Sequence, residues 1–162
     1  MTVTLRPIRE EDIPFLLKLY AETRAEELSL VNWTEAQREG FLGMQFEAQQ
    51  RHYQEHFSQA SFDLVELSGQ PIGRLYVDRT EEEIRIIDIS ILSVHRGSGF
   101  GGFLLQRLLV EADHAGKPVR IHVLHGNPAL RLYERLGFVT ISRLGMYDLM
   151  ERPLPGLITG TI

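Results

Sequence analysis

Arg96-Gly97-Ser98-Gly99-Phe100-Gly101-Gly102 is the stretch on which the reading of this chain turns. Four of the six positions from 97 to 102 are glycine, and each glycine loses more backbone entropy on folding than any other residue. A simple turn does not require that many. Upstream, six of the nine residues from 84 to 92 are apolar, too continuous a pattern for a surface strand, which places it centrally in a sheet. Downstream, Leu104, Leu105, Leu108, Leu109 and Ala112 lie on one face of a helix. The segment is thus a strand, a glycine turn and a helix. A helix start leaves backbone N–H groups unpaired and carries partial positive charge. Glycines let an anion come close to those donors, and Arg96 adds a planar cation. The chemistry is capture of a phosphate or pyrophosphate.

Three phosphate cradles compete with a turn that holds nothing. The P-loop needs Lys and then Ser or Thr after its last glycine, whereas Phe103 and Leu104 follow Gly102. The dinucleotide pattern G-x-G-x-x-G is present as Gly97, Gly99 and Gly102. It should be followed by an acidic residue at the end of the next strand, but residues 119–124 lead into His125-Gly126-Asn127.

Working outward, residues 2–7 alternate as a first strand and residues 11–26 carry a helical apolar pattern. Thr34 and Gln37 have capping-box spacing, which starts a second helix running to about Phe57. Residues 61–68 and 71–78 flank Gly69-Gln70 as a hairpin, and residues 83–94 form the central strand. After the glycine helix, Gly116-Lys117-Pro118 is a break and residues 119–124 a short strand. Asn127 reads as an N-cap with Pro128 at the first helical position and Gly137 just past the end. Residues 138–144 and 146–151 close the fold as two strands. The order β-α-α-β-β-β-α-β-α-β-β predicts an α+β or mixed α/β layer. Residues 1–152 are read as one domain and 153–162, with two Pro and two Gly, as a poorly ordered tail.

Arg96-x-x-Gly99-x-Gly101 before an amphipathic helix resembles the acyl-CoA pyrophosphate motif of the GNAT superfamily of N-acetyltransferases. Residues 87–92 resemble that family's central strand. Asn127-Pro128-Ala129-Leu130-Arg131-Leu132-Tyr133-Glu134-Arg135-Leu136-Gly137-Phe138 resembles its second hallmark, an Asn-led helix that ends in Tyr and then Gly-Phe. The two motifs begin 31 residues apart, and together they are specific. Ser93 stands where the family often has Pro. The resemblance implies a GNAT-like fold: a mostly antiparallel central sheet splayed between two strands, with helices on both faces. It implies acetyl-CoA as co-substrate, held by Ile91, Leu92, Arg96, Gly97, Ser98, Gly99, Phe100, Gly101, Gly102 and Asn127. The implied reaction is acyl transfer to a small-molecule or peptide amine. The alternative is a non-catalytic acyl-CoA-binding or regulatory module on the same fold.

Such a transfer needs a neutral amine, a stabilised oxyanion and a proton for the departing thiolate. The resemblance places the acid at Tyr133 and the oxyanion donor at the Leu92 backbone N–H. Asp88 and Glu83 are the candidates for the base, with His122 and His125 as relays. Trp33, Phe41, Gln45, Phe46 and Tyr53 are candidates for the acceptor side, although aromatic residues at helical spacing usually belong to a core.

The absence of cysteine excludes a thiol nucleophile. A net charge of −5 argues against nucleic-acid and acidic-membrane surfaces. His52-x-x-x-His56 and His122-x-x-His125 read as solvated histidines, and no metal is expected. No signal-peptide pattern and no spanning apolar run is present, so a cytoplasmic protein is expected, and a homodimer is left open.

Overall fold

Residues 2–155 are described by a computed structural model. In chain order the elements are β1 (Val3–Pro7), α1 (Ile13–Leu28), α2 (Glu35–His56), β2 (Ser61–Leu67), β3 (Gln70–Arg79), β4 (Ile84–Ile91), α3 (Phe100–Ala115), β5 (Val119–Leu124), α4 (Leu130–Arg135), β6 (Val139–Leu144) and β7 (Tyr147–Arg152). The strands form one mixed sheet in the order β1-β2-β3-β4-β5-β7-β6. β1–β2, β5–β7 and β6–β7 are antiparallel, whereas β4 and β5 are parallel. The parallel pair follows from the crossover through α3, since parallel neighbours cannot be joined by a tight turn. Its registered pairs are Ile84–Val119, Arg85–Arg120 and Ile86–Ile121. Element order and sheet class agree with the sequence expectation.

Contacts divide the chain into two compact units. One is built from the chain up to Leu75 together with Ser90–Ser98, the other from Tyr76–Ile89 together with the chain from Gly99 onward.

In the first unit, Leu16, Tyr20, Phe46 and Leu64 form a buried cluster, with the Tyr20 and Phe46 rings edge-on at 5.9 Å. α2 starts where Thr34 and Gln37 predict: the Gln37 N–H donates to Thr34 Oγ1, and the Thr34 N–H donates to Gln37 Oε1. α1 begins two residues later than expected. Pro14 is confined to the first helical turn, and Glu10–Asp12 form a 3₁₀ turn ahead of it. The buried Asp12 carboxylate accepts two bonds from Arg6, both 2.8 Å, and one from the Arg9 N–H. Those bonds, with the Arg6 guanidinium foremost, outweigh desolvation and hold its carboxyl below the usual range.

In the second unit, α3 buries Leu104, Leu105, Leu108, Leu109 and Ala112 and packs on β5. Each fully buried Leu contributes roughly 1.5–3 kcal/mol relative to exposure. The helix ends at Gly116, whose φ of +68° is open to glycine at little cost. The buried strand positions are Ile84, Ile86, Val119, Ile121, Val123 and Met150. Alternation therefore turns Arg85, Arg120, His122 and Glu151 to the opposite face.

β4 stops at Ile91 instead of Val94. Ser93–His95 form a 3₁₀ turn, and the Ser93 N–H donates to the Glu22 carboxylate instead of a strand neighbour. Residues 156–162, most of the expected tail, lie outside the described residues. Among the described residues no helix is long and apolar enough to cross a membrane.

Candidate functional site

Gly97 and Gly99 have φ of +77° and +87°, the left-handed region that side chains disfavour. Gly99 is the N-cap of α3, and no side chain caps the helix. The first intrahelical bond runs from the Phe103 N–H to the Gly99 carbonyl at 2.9 Å. Gly101 differs from both. Its φ is ordinary, and a Cβ added to it would meet nothing within 4 Å. Gly102 would meet only Leu132 Cδ1, at 3.7 Å, an ordinary contact. Neither backbone strain nor internal packing explains Gly101 in the first turn of a helix, where glycine costs roughly 0.5–1 kcal/mol against alanine.

Arg96 stands before the turn and is half exposed, with Nε donating to the Ile91 carbonyl at 2.9 Å. Ile91 and Leu92 are buried at the end of β4. The Leu92 N–H, expected to receive an oxyanion, is engaged: it donates to the Ile72 carbonyl at 2.8 Å. An oxyanion cannot take that donor while the bond persists.

In the second unit Tyr133 lies within reach of the negative charge of Asp88. Tyr133 is 4% exposed and packs edge-on against Phe138 at 5.6 Å. Burial, and then the negative charge of Asp88, push its phenol up to about 12. Asp88 lies in β4 on the face shared by Ile84 and Ile86. Glu83 does not join it. It precedes β4, and its carboxylate accepts from Arg85 Nε at 2.7 Å and from Arg120 Nη1 at 3.0 Å. Burial raises its pKa, but the two guanidinium groups outweigh burial and the net shift is downward. A carboxylate held ionised between two cations is a poor proton acceptor. His122 lies beside Arg85 at 3.3 Å, and desolvation with that positive charge lowers its pKa, keeping the ring neutral. His125 pairs with Asp148 at 2.8 Å.

Asn127 does not cap α4 directly. Ala129 is the N-cap, and Asn127 Oδ1 accepts from the Ala129 N–H at 2.8 Å in a turn ahead of the helix. α4 closes as predicted at Gly137, φ +96°, where the Phe138 N–H bonds the Tyr133 carbonyl at 3.0 Å.

On the expected acceptor side, Phe46 belongs to the core and Gln45 accepts from the Tyr20 hydroxyl at 3.3 Å. Tyr53 is half-buried on α2. Trp33 and Phe41 stack edge-on at 5.0 Å, with Trp33 36% exposed beside the exposed Leu30 and Val31. A cavity of about 450 Å³ opens between α1 and α2, lined by Ile13, Leu17, Gly43, Phe46, Glu47, Gln50, Arg51 and Gln54. None of the residues expected to bind or react with a cofactor lines it. His52 and His56 stack at 4.1 Å, and among the described residues no three His, Cys, Asp or Glu groups cluster as a metal site.

Sequence reasoning missed Gly73 in β3. A Cβ there would lie 2.2 Å from the Ser90 carbonyl oxygen and 3.1 Å from Ile91 Cα. An isolated glycine inside a strand pattern is the available signal for such a close backbone approach. It also missed Glu22, which bonds residues 71 positions away and leaves no local signature.

The model of the Acetyltransferase (GNAT) family matches residues 22–138. A [ribosomal protein bS18]-alanine N-acetyltransferase of Haemophilus influenzae is 32% identical over 72 residues. That match covers 44% of this chain and 49% of the relative, so the chain spans about half the relative's length. Among solved structures, the chain is similar to the PaiA N-acetyltransferase of Thermoplasma acidophilum in complex with coenzyme A. The TM-score is 0.71 at 15% identity, covering 94% of this chain and 99% of that one. It is also similar to an acetyltransferase of Thermus thermophilus, with a TM-score of 0.67 at 21% identity over 95% and 98%.

Proposed function

The chain belongs to the Acetyltransferase (GNAT) family, and on that premise we propose that it transfers an acetyl group from acetyl-CoA to an amine. We take residues 1–152 as one acetyltransferase domain acting in the cytoplasm. The uncapped start of α3 carries the reading: Gly99, at φ +87°, is its N-cap, no side chain bonds the first-turn N–H groups, and Gly101 and Gly102 put no Cβ beside them. In this reading the α3 backbone N–H groups from Phe100 to Gly102, with Gly97, Ser98, Gly99 and Arg96, hold the cofactor pyrophosphate. Ile91 serves through its carbonyl, which orients Arg96, and Leu92 forms the apolar end of the strand. Asn127 Oδ1 is engaged within its turn, so its Nδ2 group donates to the pantetheine arm.

The amine nitrogen attacks the thioester carbon, the C–S bond breaks, and an amide and the CoA thiol result. Tyr133 gives the sulfur its proton. A phenol at about 12 is protonated at neutral pH, and a desolvated site keeps it so until the thiolate departs. Asp88 is the preferred acceptor of the proton from the incoming ammonium, because it is the candidate carboxylate whose charge reaches Tyr133. The acceptor is a small-molecule or peptide amine. The relative in Haemophilus, which acetylates an alanine of a ribosomal protein, supports an amine of this kind.

Titration calorimetry with acetyl-CoA tests the binding half of this reading. The wild type should bind and Gly99→Asp should not, since a carboxylate then occupies the phosphate approach; equal affinity would remove the phosphates from this turn. A screen of amines for CoA release tests the reaction. With an acceptor found, Tyr133→Phe should lower kcat about 10²-fold or more with little change in acetyl-CoA affinity. Unchanged kcat would take Tyr133 out of the acid role.

A further inference from the structure

Glu22, on α1, is drawn to the loop that enters the glycine turn. Its Oε1 accepts from the Ser93 backbone N–H at 2.8 Å, and its Oε2 accepts from Ser93 Oγ at 3.2 Å. Both oxygens of one carboxylate therefore hold one residue at two points. The same Oε1 lies 4.0 Å from Arg96 Nη2. Arg96 is fixed on its other side by the Nε bond to the Ile91 carbonyl. The 3₁₀ turn itself supplies two short-range bonds, from the His95 N–H to Leu92 and from the Arg96 N–H to Ser93. Without Glu22, Ser93 is an exposed residue at the start of a short turn, and short turns of this kind hold their geometry weakly.

We propose that Glu22 is a positioning residue for cofactor binding: its carboxylate pins Ser93 and aims the Arg96 guanidinium, so that the cation meets the phosphates without first being ordered. The proposal rests on the reading that the 96–102 turn binds CoA. Two opposing effects of the carboxylate set the outcome. A carboxylate near a phosphate site repels the ligand, whereas a carboxylate that orders a loop and an arginine reduces the entropy lost on binding. Hydrogen bonds to an ionised acceptor are about twice as strong as neutral ones, and two of them converge on Ser93. Arg96, at 4.0 Å and half exposed, contributes a weaker, screened attraction. The ordering effect therefore outweighs the repulsion.

Charge and reach are separable by substitution. Glu22→Gln keeps the length and an acceptor oxygen but removes the charge. Glu22→Asp keeps the charge but withdraws it by one methylene. Glu22→Ala removes both. Affinity for CoA is measured by titration calorimetry on the full chain, with acetyl-CoA KM and kcat once an acceptor is known. Glu22→Ala should weaken CoA binding about tenfold, and Glu22→Asp and Glu22→Gln severalfold, the former through lost reach and the latter through the loss of one acceptor oxygen and of the charge. The loss should fall on KM, with kcat at saturation nearly unchanged. Ser93→Ala, which leaves the backbone N–H in place, should weaken binding less than Glu22→Ala and add little to it when the two are combined. Glu22→Gln and Glu22→Asp preserve the helix and keep the test valid should Glu22→Ala not fold. The proposal is overturned if Glu22→Asp binds like the wild type while Glu22→Gln binds more tightly, which is the signature of charge alone. It is also overturned if all three variants bind like the wild type, or if kcat falls with KM unchanged. A wild type that does not bind CoA fails the functional reading itself, whereas a wild type that binds while the variants bind equally fails only the role of Glu22.

Discussion

Two places in this molecule depend on glycine for opposite reasons. At Gly73 the missing side chain is required by the chain itself: a Cβ would sit 2.2 Å from the Ser90 carbonyl oxygen. At Gly101 a Cβ would sit in open space on an ordinary helical backbone. The first glycine serves folding, because β3 and the end of β4 approach too closely for any other residue. The second works against folding, since a helix prefers alanine there. Gly40 and Gly43 of α2 share that open helical geometry, so a glycine of this kind points to a ligand only together with the uncapped helix start at Gly99.

Substitution at Gly73 should have the largest effect. Gly73→Ala should lower unfolding free energy by about 3 kcal/mol, read as a shift of the urea midpoint, because the obstructing atoms are backbone. A variant as stable as the wild type would show that the two segments can part freely. Gly101→Ala should do the reverse in the free protein, raising stability by roughly 0.5–1 kcal/mol, while weakening CoA binding in calorimetry. Equal CoA affinity in this variant would mean that no ligand comes near Gly101. The smallest expected difference concerns acid. Asp12 has a lowered pKa, so its contribution is present above the unfolded value of about 4 and is lost as pH falls below it through the folded value. Asp12 touches neither glycine, so thermal midpoints of the wild type and both variants should fall in parallel on acidification. Unequal falls would reveal that acid unfolding starts at one of the two glycines.

Much of the fold was legible because its signals are local. Thr34 and Gln37 are three residues apart and cap α2 as their spacing predicts, and the five apolar residues of α3 bury as their periodicity requires. The positive φ at Gly97 and Gly99 follows from the residue type. What escaped was carried by backbone or by distance along the chain. The Leu92 N–H is claimed by the Ile72 carbonyl, and no side chain announces that. Glu83 looked as suitable a base as Asp88 until Arg85 and Arg120 closed on it, Arg120 from a strand 37 residues away. Asn127 had the right composition for a cap, but its side chain turns two residues too early, because the chain tightens around Pro128 before α4 begins.

α4 has six residues, fewer than two turns, and a helix so short is not stable in isolation. Its geometry is lent by its ends, the Asn127 turn on one side and the Gly137 closure on the other. The amide protons of such a segment exchange with solvent together: when either end releases, the whole helix opens. Tyr133 sits on this helix, edge-on to Phe138, so on the proposed mechanism the lifetime of the closed helix would also be the time for which its hydroxyl is held ready.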